Sequence, residues 1–329
     1  MADCKKDCSP ENNSEENSTD QPEGDAESSN QENPNIELIQ IDENMTELDL
    51  NHQRIPAISS ITALHMAKSL ERLYLRWNLI KKIDYLDPMV QLKEIELYDN
   101  QITVIENLDS LVNLEILDLS FNRIKEIRGL ENLKNLEKLF LVSNKITKIE
   151  NVNHLKKLTM LELGDNKIRA IENLSGLENL DSLFLGKNKI SKIENLETFT
   201  KLKLLSLQGN RITKIENIDK LVELEQLYLS ENGLTEIEGL ENNKFLSTLD
   251  LASNKISAIK NISHLADLEE FWLNDNNVSD WKDIDNLAQN KKLSTVYLEH
   301  NPVYKDANYR RKIKLAIPWI TQIDATLAR

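Results

Sequence analysis

The chain has 329 residues, of which 40% are hydrophobic, and a formal net charge of −15. No run of about 18 apolar residues and no apolar leader after Met1 occurs, so neither a membrane span nor a secretory signal is expected. The two cysteines, Cys4 and Cys8, are too few and too close to staple a scaffold, which excludes the disulfide-built class.

Residues 1–35 are rich in Asn, Ser, Glu and Gln and lack any aromatic residue. Such a segment buries too little apolar surface to offset chain entropy, so a disordered acidic tail is expected. Residues 1–43 hold 13 acids and two lysines, a net of −11, and the remaining 286 residues carry only −4. The acidity of the chain therefore describes mainly its tail. Cys4 and Cys8 have no neighbouring His, which leaves the ligand set of a metal site incomplete. No metal and no cofactor is expected. Ile36, Leu38, Ile39 and Ile41 form the apolar cluster that precedes the repeats and serve as the candidate N-terminal cap.

From Asn78 onward an asparagine recurs every 22 residues, at Asn100, Asn122, Asn144, Asn166, Asn188, Asn210, Asn232, Asn254 and Asn276. Around each, counting the asparagine as zero, apolar residues stand at −8, −5, −3 and +2, as in Leu136, Leu139, Leu141 and Ile146 around Asn144. Positions −5 and −3 are two apart and share one side of a short strand, whereas −6, −4 and −2 share the other. The apolar side faces the core. The asparagine amide can then pair backbone groups of neighbouring coils that would otherwise be buried without partners. This is the pattern of a leucine-rich repeat, an α/β solenoid with a parallel concave sheet.

Beyond the asparagine, apolar residues recur at +5, +8 and usually +11, such as Ile149, Val152 and Leu155. A spacing of three predicts a 3₁₀-like or short helical return on the convex side. Frames at Leu48, Leu50, Gln53 and Ile55 and at Val296, Leu298, Asn301 and Val303 stand 25 residues from their neighbours and bring the count to twelve coils. The longer returns, Pro56–Leu70 and Ser279–Leu293, leave room for a fuller helical turn. Solenoid residues thus run from 36 to 301. In 302–329 the pattern changes, and Tyr309, Ile313, Ala316 and Ile317 share one face of a helix that Pro318 stops, which predicts a C-terminal cap.

Catalysis finds no support. The five histidines are dispersed, and His154 and His264 occupy the same repeat position, which suits a surface role in the coil. No glycine-rich phosphate loop or nucleophile elbow occurs among eight glycines. An enzyme is not expected. Function is then sought at positions −6, −4, −2 and −1, which the apolar frame leaves free. These hold nine of 17 aromatic residues and 13 acids against four basic residues, a net of −9. Exposed aromatics mark a protein-binding face. The negative groove repels nucleic acid and steers a basic protein surface inward. Packing between neighbouring coils is the competing explanation for the aromatics. Along position −4, acid and aromatic nearly alternate: Asp118, Phe140, Glu162, Phe184, Ser206, Tyr228, Asp250, Trp272 and Tyr297.

The turn Asn144–Asn151, repeated at Asn188–Asn195, the segment from Glu270 to Asn276, and the ending Tyr309–Arg311 with Gln322–Thr326 resemble the protein phosphatase 1 regulatory subunit 7 family over about residues 44–329. The resemblance implies a non-catalytic subunit that binds the catalytic subunit of protein phosphatase 1 with its concave face and controls its activity or maturation. It implies work in nucleus and cytoplasm during mitotic progression, and admits a further phosphatase inhibitor protein as a second partner. The positions matching the family's contact residues are Asp118, Phe140, Glu162, Phe184, Asp250, Glu270, Trp272 and Tyr297. No credible copy of the short docking motif, a basic residue, Val or Ile, any residue, then Phe or Trp, is present, as groove binding would allow. A scaffold for a spliceosomal or a cytoskeletal complex is the alternative. No nucleic acid and no membrane partner is expected.

Overall fold

The computed structural model describes residues 41–328. The tail over 1–35, the pair Cys4 and Cys8, and Ile36, Leu38 and Ile39 lie outside the described residues. Twelve three-residue strands follow one another from Glu47–Asp49 to Thr295–Tyr297, and each hydrogen-bonds its sequence neighbours in one sheet. Eleven turns of solenoid connect them. All twelve are parallel and in register, so that Leu117 lies opposite Leu139 and Leu139 opposite Leu161. The middle residue of every strand is buried while its neighbours face outward, as the alternation in the sequence requires. The result is the horseshoe of a leucine-rich-repeat solenoid.

The core is a continuous stack of Leu and Ile rungs in which most side chains are fully buried. Each such side chain stabilises the stack by about 1.5–3 kcal/mol. The ladder asparagines do the complementary polar work. Asn100 accepts from the Ile80 N–H at 3.0 Å and donates to the carbonyls of Leu75 at 2.9 Å and Leu97 at 3.1 Å, so one amide ties two coils. Gln53, in the first coil, bonds only the Asn51 carbonyl two residues away. Asn78 supplies the link back to that coil through Ile55 and Leu50.

A second ladder appears seven residues further on. Asn107, Asn151, Asn173, Asn195, Asn217 and Asn261 all adopt left-handed backbone angles, and each amide donates to an isoleucine carbonyl of the preceding coil at 2.6–2.8 Å. Asparagine suits the place because it tolerates positive φ and carries a short donor. Where the amide is absent, Gly129 and Gly239 take over at φ +68°, and there a Cβ would lie 2.5 Å from a backbone oxygen. In the coils that follow these two glycines, His154 and His264 bond the carbonyls of Leu130 and Leu240 at 2.9 Å, which gives both histidines a structural role.

On the convex side the 22-residue coils return through isolated turns bonded three residues apart, such as Leu111 N–H to Leu108 and Leu114 N–H to Leu111. Helices form only where the coil is longer. Ile58–Ser60 and Leu64–Met66 are 3₁₀ turns in the first return, and α1, Trp281–Asp285, opens the last with Asp280 accepting from the Lys282 N–H. The chain then passes through a 3₁₀ turn, Pro302–Lys305, into α2, Tyr309–Ala316. Strand Gln322–Ile323 extends the parallel sheet, and Thr326–Leu327 closes it by pairing antiparallel. Asp324 follows Ile323, the register partner of Val296, and its side chain takes the place that a strand carbonyl of the next coil would fill. Its Oδ1 accepts from the N–H groups of Leu298 and Glu299 and from the Tyr309 hydroxyl, satisfying the last coil.

Candidate protein-binding face

The in-register pairing sets the outward residues of successive strands side by side. Asp118, Phe140, Glu162, Phe184, Ser206, Tyr228, Asp250, Trp272 and Tyr297 are consecutive partners in one unbroken row. At a strand spacing of about 4.8 Å, the row is about 38 Å long. Glu270 lies one row over, between Thr248 and Thr295. All eight positions singled out from the sequence therefore share one sheet face, in a middle group and a C-terminal group.

Their environments differ in ways the sequence does not show. Asp118, Glu162 and Asp250 each accept the N–H two residues on, from Ser120, Gly164 and Ala252 at 2.9–3.0 Å, and Asp49 does the same for Asn51. In all four the residue two places on is short, which lets the carboxylate fold back. These acids thus hold the strand exit as well as charging the face. Asp250 is only 5% exposed, so it contributes field more than contact. Burial raises its pKa, against hydrogen bonds from Ser230 and Ala252. Burial pushes Glu162 up to about 7, opposed by the Gly164 N–H and reinforced by the nearby Asp118. Glu96 is likewise raised by burial, although the Arg76 guanidinium bonds and pairs with it.

Packing between coils explains part of the aromatic enrichment. The His52 ring stacks on Trp77 at 4.2 Å, Trp77 meets Tyr98 edge-on at 5.4 Å, and Tyr98 lies 4.8 Å from Phe121. Trp77 and Phe121 remain 40% and 43% exposed and sit at positive φ, an unusual backbone for bulky residues. Sequence reasoning passed over this ladder as a unit, although aromatic residues at −1 and −2 in consecutive coils were its visible signal. At the other end Trp272 and Tyr297 pack at 5.4 Å. The Trp272 indole N–H is buried and finds no acceptor among the described residues. Phe140 and Phe184 are half-buried and flank Glu162 in the row.

The depression of about 710 Å³ around Lys157, Asp181 and Lys203 is open to the surface and lined by mixed charges, and another beside α2 is lined by Arg310, Arg311 and Lys314 with Leu315 and Ile323. Among the described residues no group of three or more His, Cys, Asp and Glu side chains converges on one point. A "Leucine-rich repeat" family model matches residues 201–326, and a "Leucine Rich repeats (2 copies)" model matches four overlapping stretches between 90 and 198. The chain is a leucine-rich-repeat protein.

Solved repeat structures agree with that fold. An internalin of Listeria monocytogenes superimposes with a TM-score of 0.70 at 24% identity, covering 86% of this chain and 88% of the internalin. A leucine-rich-repeat protein of Leptospira interrogans gives 0.69 at 25% identity over 79% and 73% of the two chains. Among curated proteins, protein phosphatase 1 regulatory subunit 7 of Danio rerio is 59% identical over 49 residues and that of Homo sapiens 55% over 49. Protein phosphatase 1 regulatory subunit SDS22 of Schizosaccharomyces pombe is 51% identical over 45 residues. These matches span 13–15% of this leucine-rich-repeat chain and 14% of each relative.

Proposed function

We propose that this chain is a non-catalytic regulatory subunit that binds the catalytic subunit of protein phosphatase 1 across its sheet face. The observation that carries this reading is the in-register row in which acids and aromatics nearly alternate from Asp118 to Tyr297, with Ser206 in the place of one acid and Trp272 beside Tyr297, and the phosphatase-subunit relatives give the partner its name. A solenoid that is already rigid loses little entropy on docking, so its surface is well suited to a large rigid partner. Phe140, Phe184, Trp272 and Tyr297 would act as anchors, with Glu162, Glu270 and Asp118 beside them selecting a basic partner patch and steering its approach. Asp250, nearly buried, would act through its field. The function is control by occupancy: a partner held along about 38 Å of sheet has part of its surface withheld from other proteins. Nucleus and cytoplasm are the compartments this role requires.

Titration calorimetry of purified phosphatase catalytic subunit against the full chain tests the reading. Trp272→Ala, which removes an anchor but no hydrogen bond, is expected to weaken binding at least ~tenfold with little change in melting temperature. Lys220→Glu, on the convex surface, is expected to leave binding unchanged. Equal affinities for the two variants would refute the sheet-face mechanism.

A further inference from the structure

Among the ladder asparagines only Asn232 is followed by glycine, and Asn-Gly occurs nowhere else in the chain. In the five coils before it the same place holds a cation, Arg123, Lys145, Lys167, Lys189 or Arg211. The backbone does not demand the change. Gly233 does not adopt positive φ, and its N–H donates to the Ile212 carbonyl at 2.8 Å, as Lys189 does to Ile168 and Arg211 to Ile190. A Cβ on Gly233 would meet the Thr213 Cγ2 methyl at 3.2 Å and the Ile212 carbonyl oxygen at 3.4 Å, whereas at Gly239 it would lie 2.5 Å from a backbone oxygen. Apart from a small shift of that methyl, a side chain fits at 233 as it does in the neighbouring coils.

What the glycine changes is reactivity. Its nitrogen has no side chain to shield it and its backbone turns freely, so it can reach the side-chain amide of the residue before it. In the closed coil that attack is blocked twice. The nitrogen is engaged by Ile212, and the amide is held in the ladder, where Oδ1 accepts the Ile212 N–H at 2.9 Å and Nδ2 donates to the carbonyls of Leu207, Leu229 and Ser230 at 3.0–3.1 Å. Both bonds to Ile212 have to break before the reaction can start. The ladder is also thinnest here: Asn210 and Asn232 are half-buried, whereas the other eight of the ten are buried. Because each coil of a solenoid rests only on its neighbours, this junction can open without unfolding the array.

We propose that Asn232 is a site of spontaneous covalent modification, converted to aspartate and isoaspartate when the solenoid opens between the coils of Leu204–Ser206 and Gln226–Tyr228. The Gly233 nitrogen attacks Asn232 Cγ; a C–N bond forms, the Cγ–Nδ2 bond breaks, and Nδ2 leaves as ammonia, the proton of the Gly233 N–H passing to it through solvent. Water then opens the cyclic imide. Cleavage of the new bond at Cγ gives aspartate, and cleavage of the original backbone C–N bond gives isoaspartate. Water enters and ammonia leaves, with no oxidant or reductant. Either product makes the opening permanent. A carboxylate replaces the donor that faced the carbonyls of Leu207, Leu229 and Ser230, and isoaspartate also lengthens the backbone by a carbon where it must register with Ile212. The junction lies between Ser206 and Tyr228 of the outward row, so conversion breaks the register of that face. The proposal stands independently of the phosphatase reading.

Incubating the full chain in native buffer and in urea, followed by peptide mapping and by methyl labelling with an isoaspartyl methyltransferase, tests it. Product is expected at residue 232 and at no other ladder asparagine, forming at least ~tenfold more slowly in native buffer than in urea because the open junction is a minor state. Gly233→Lys, which restores the residue type of the preceding coils, should lower the rate in urea at least ~tenfold by shielding the nitrogen, and should leave the native urea midpoint unchanged. In the aged native chain, hydrogen exchange should accelerate at Ile212 and stay unchanged at Ile146. Equal rates in native buffer and urea would refute gating by the ladder. Product at several ladder asparagines, or none at 232 in the native chain, would overturn the site.

Discussion

Replacing Asn166 by Ala tests the ladder at its most informative point, because the bonds it makes are not equally replaceable. Asn166 is 8% exposed; its Oδ1 accepts the Ile146 N–H at 2.9 Å, and its amide donates to the carbonyls of Leu141, Leu163 and Gly164 at 2.9–3.1 Å. Each of those carbonyls keeps another donor after the substitution: Asn144 for Leu141, Asn188 for Leu163, and the Ser143 N–H for Gly164. The Ile146 N–H has no other partner among the described residues. One orphaned buried N–H costs about 1–3 kcal/mol, and the thinned carbonyl bonds add a few tenths each, so a loss of about 2–3 kcal/mol is expected. A urea melt followed by circular dichroism measures the total, and native-state hydrogen exchange locates it. Exchange at Ile146 should accelerate, while Ile168, whose N–H is served by Asn188 at 3.0 Å, keeps its protection. An unchanged midpoint, or protection at Ile146 equal to that at Ile168, would refute the assignment.

Burial raises the Glu162 carboxyl from 4.5 to about 7, so the folded chain binds that proton more tightly than the unfolded one. The stabilisation is full below about 4.5 and lost as pH rises through about 7; Glu162→Gln lacks this pH dependence, so the urea midpoint of the native chain relative to the variant should be higher at pH 5 than at pH 8. Gly176→Ala would place a Cβ 1.9 Å from the Asn153 carbonyl oxygen, backbone that cannot swing aside, and should cost about 1–3 kcal/mol in a urea melt. Gly164→Ala meets side chains, the Glu162 carboxylate at 2.8 Å and Val142 Cγ2 at 3.3 Å, which can shift more readily than backbone, and should cost less. Tyr309→Phe keeps the ring and loses the bond to Asp324, about 1 kcal/mol, whereas Asp324→Ala also strands the N–H groups of Leu298 and Glu299 and should cost about 2–5 kcal/mol. Exchange rates at those two amides distinguish the variants.

The solenoid, its twelve strands and its inward and outward residues are all legible in the amino-acid pattern. Each follows from a local constraint repeated 22 residues apart, an apolar side chain at a place where nothing else can be buried or an amide where backbone groups lack partners. Leu139, Leu161 and Asn166 could be assigned from their spacing alone, and so could the row from Asp118 to Tyr297, since register is inherited from coil length. What a position does within its row depends on neighbours a full coil away, which become visible once the coils are stacked. Asp250 and Glu270 are both acids of the same face, yet Asp250 folds back onto Ala252 and is nearly buried. Trp77, Tyr98 and Phe121 are frame-free positions whose rings happen to meet. The left-handed turn before each ladder asparagine and the second ladder from Asn107 to Asn261 arise from closing the coil. Periodicity sets which residues stack, and side-chain length and backbone closure set whether a stacked residue is spent on its own fold or left facing a partner.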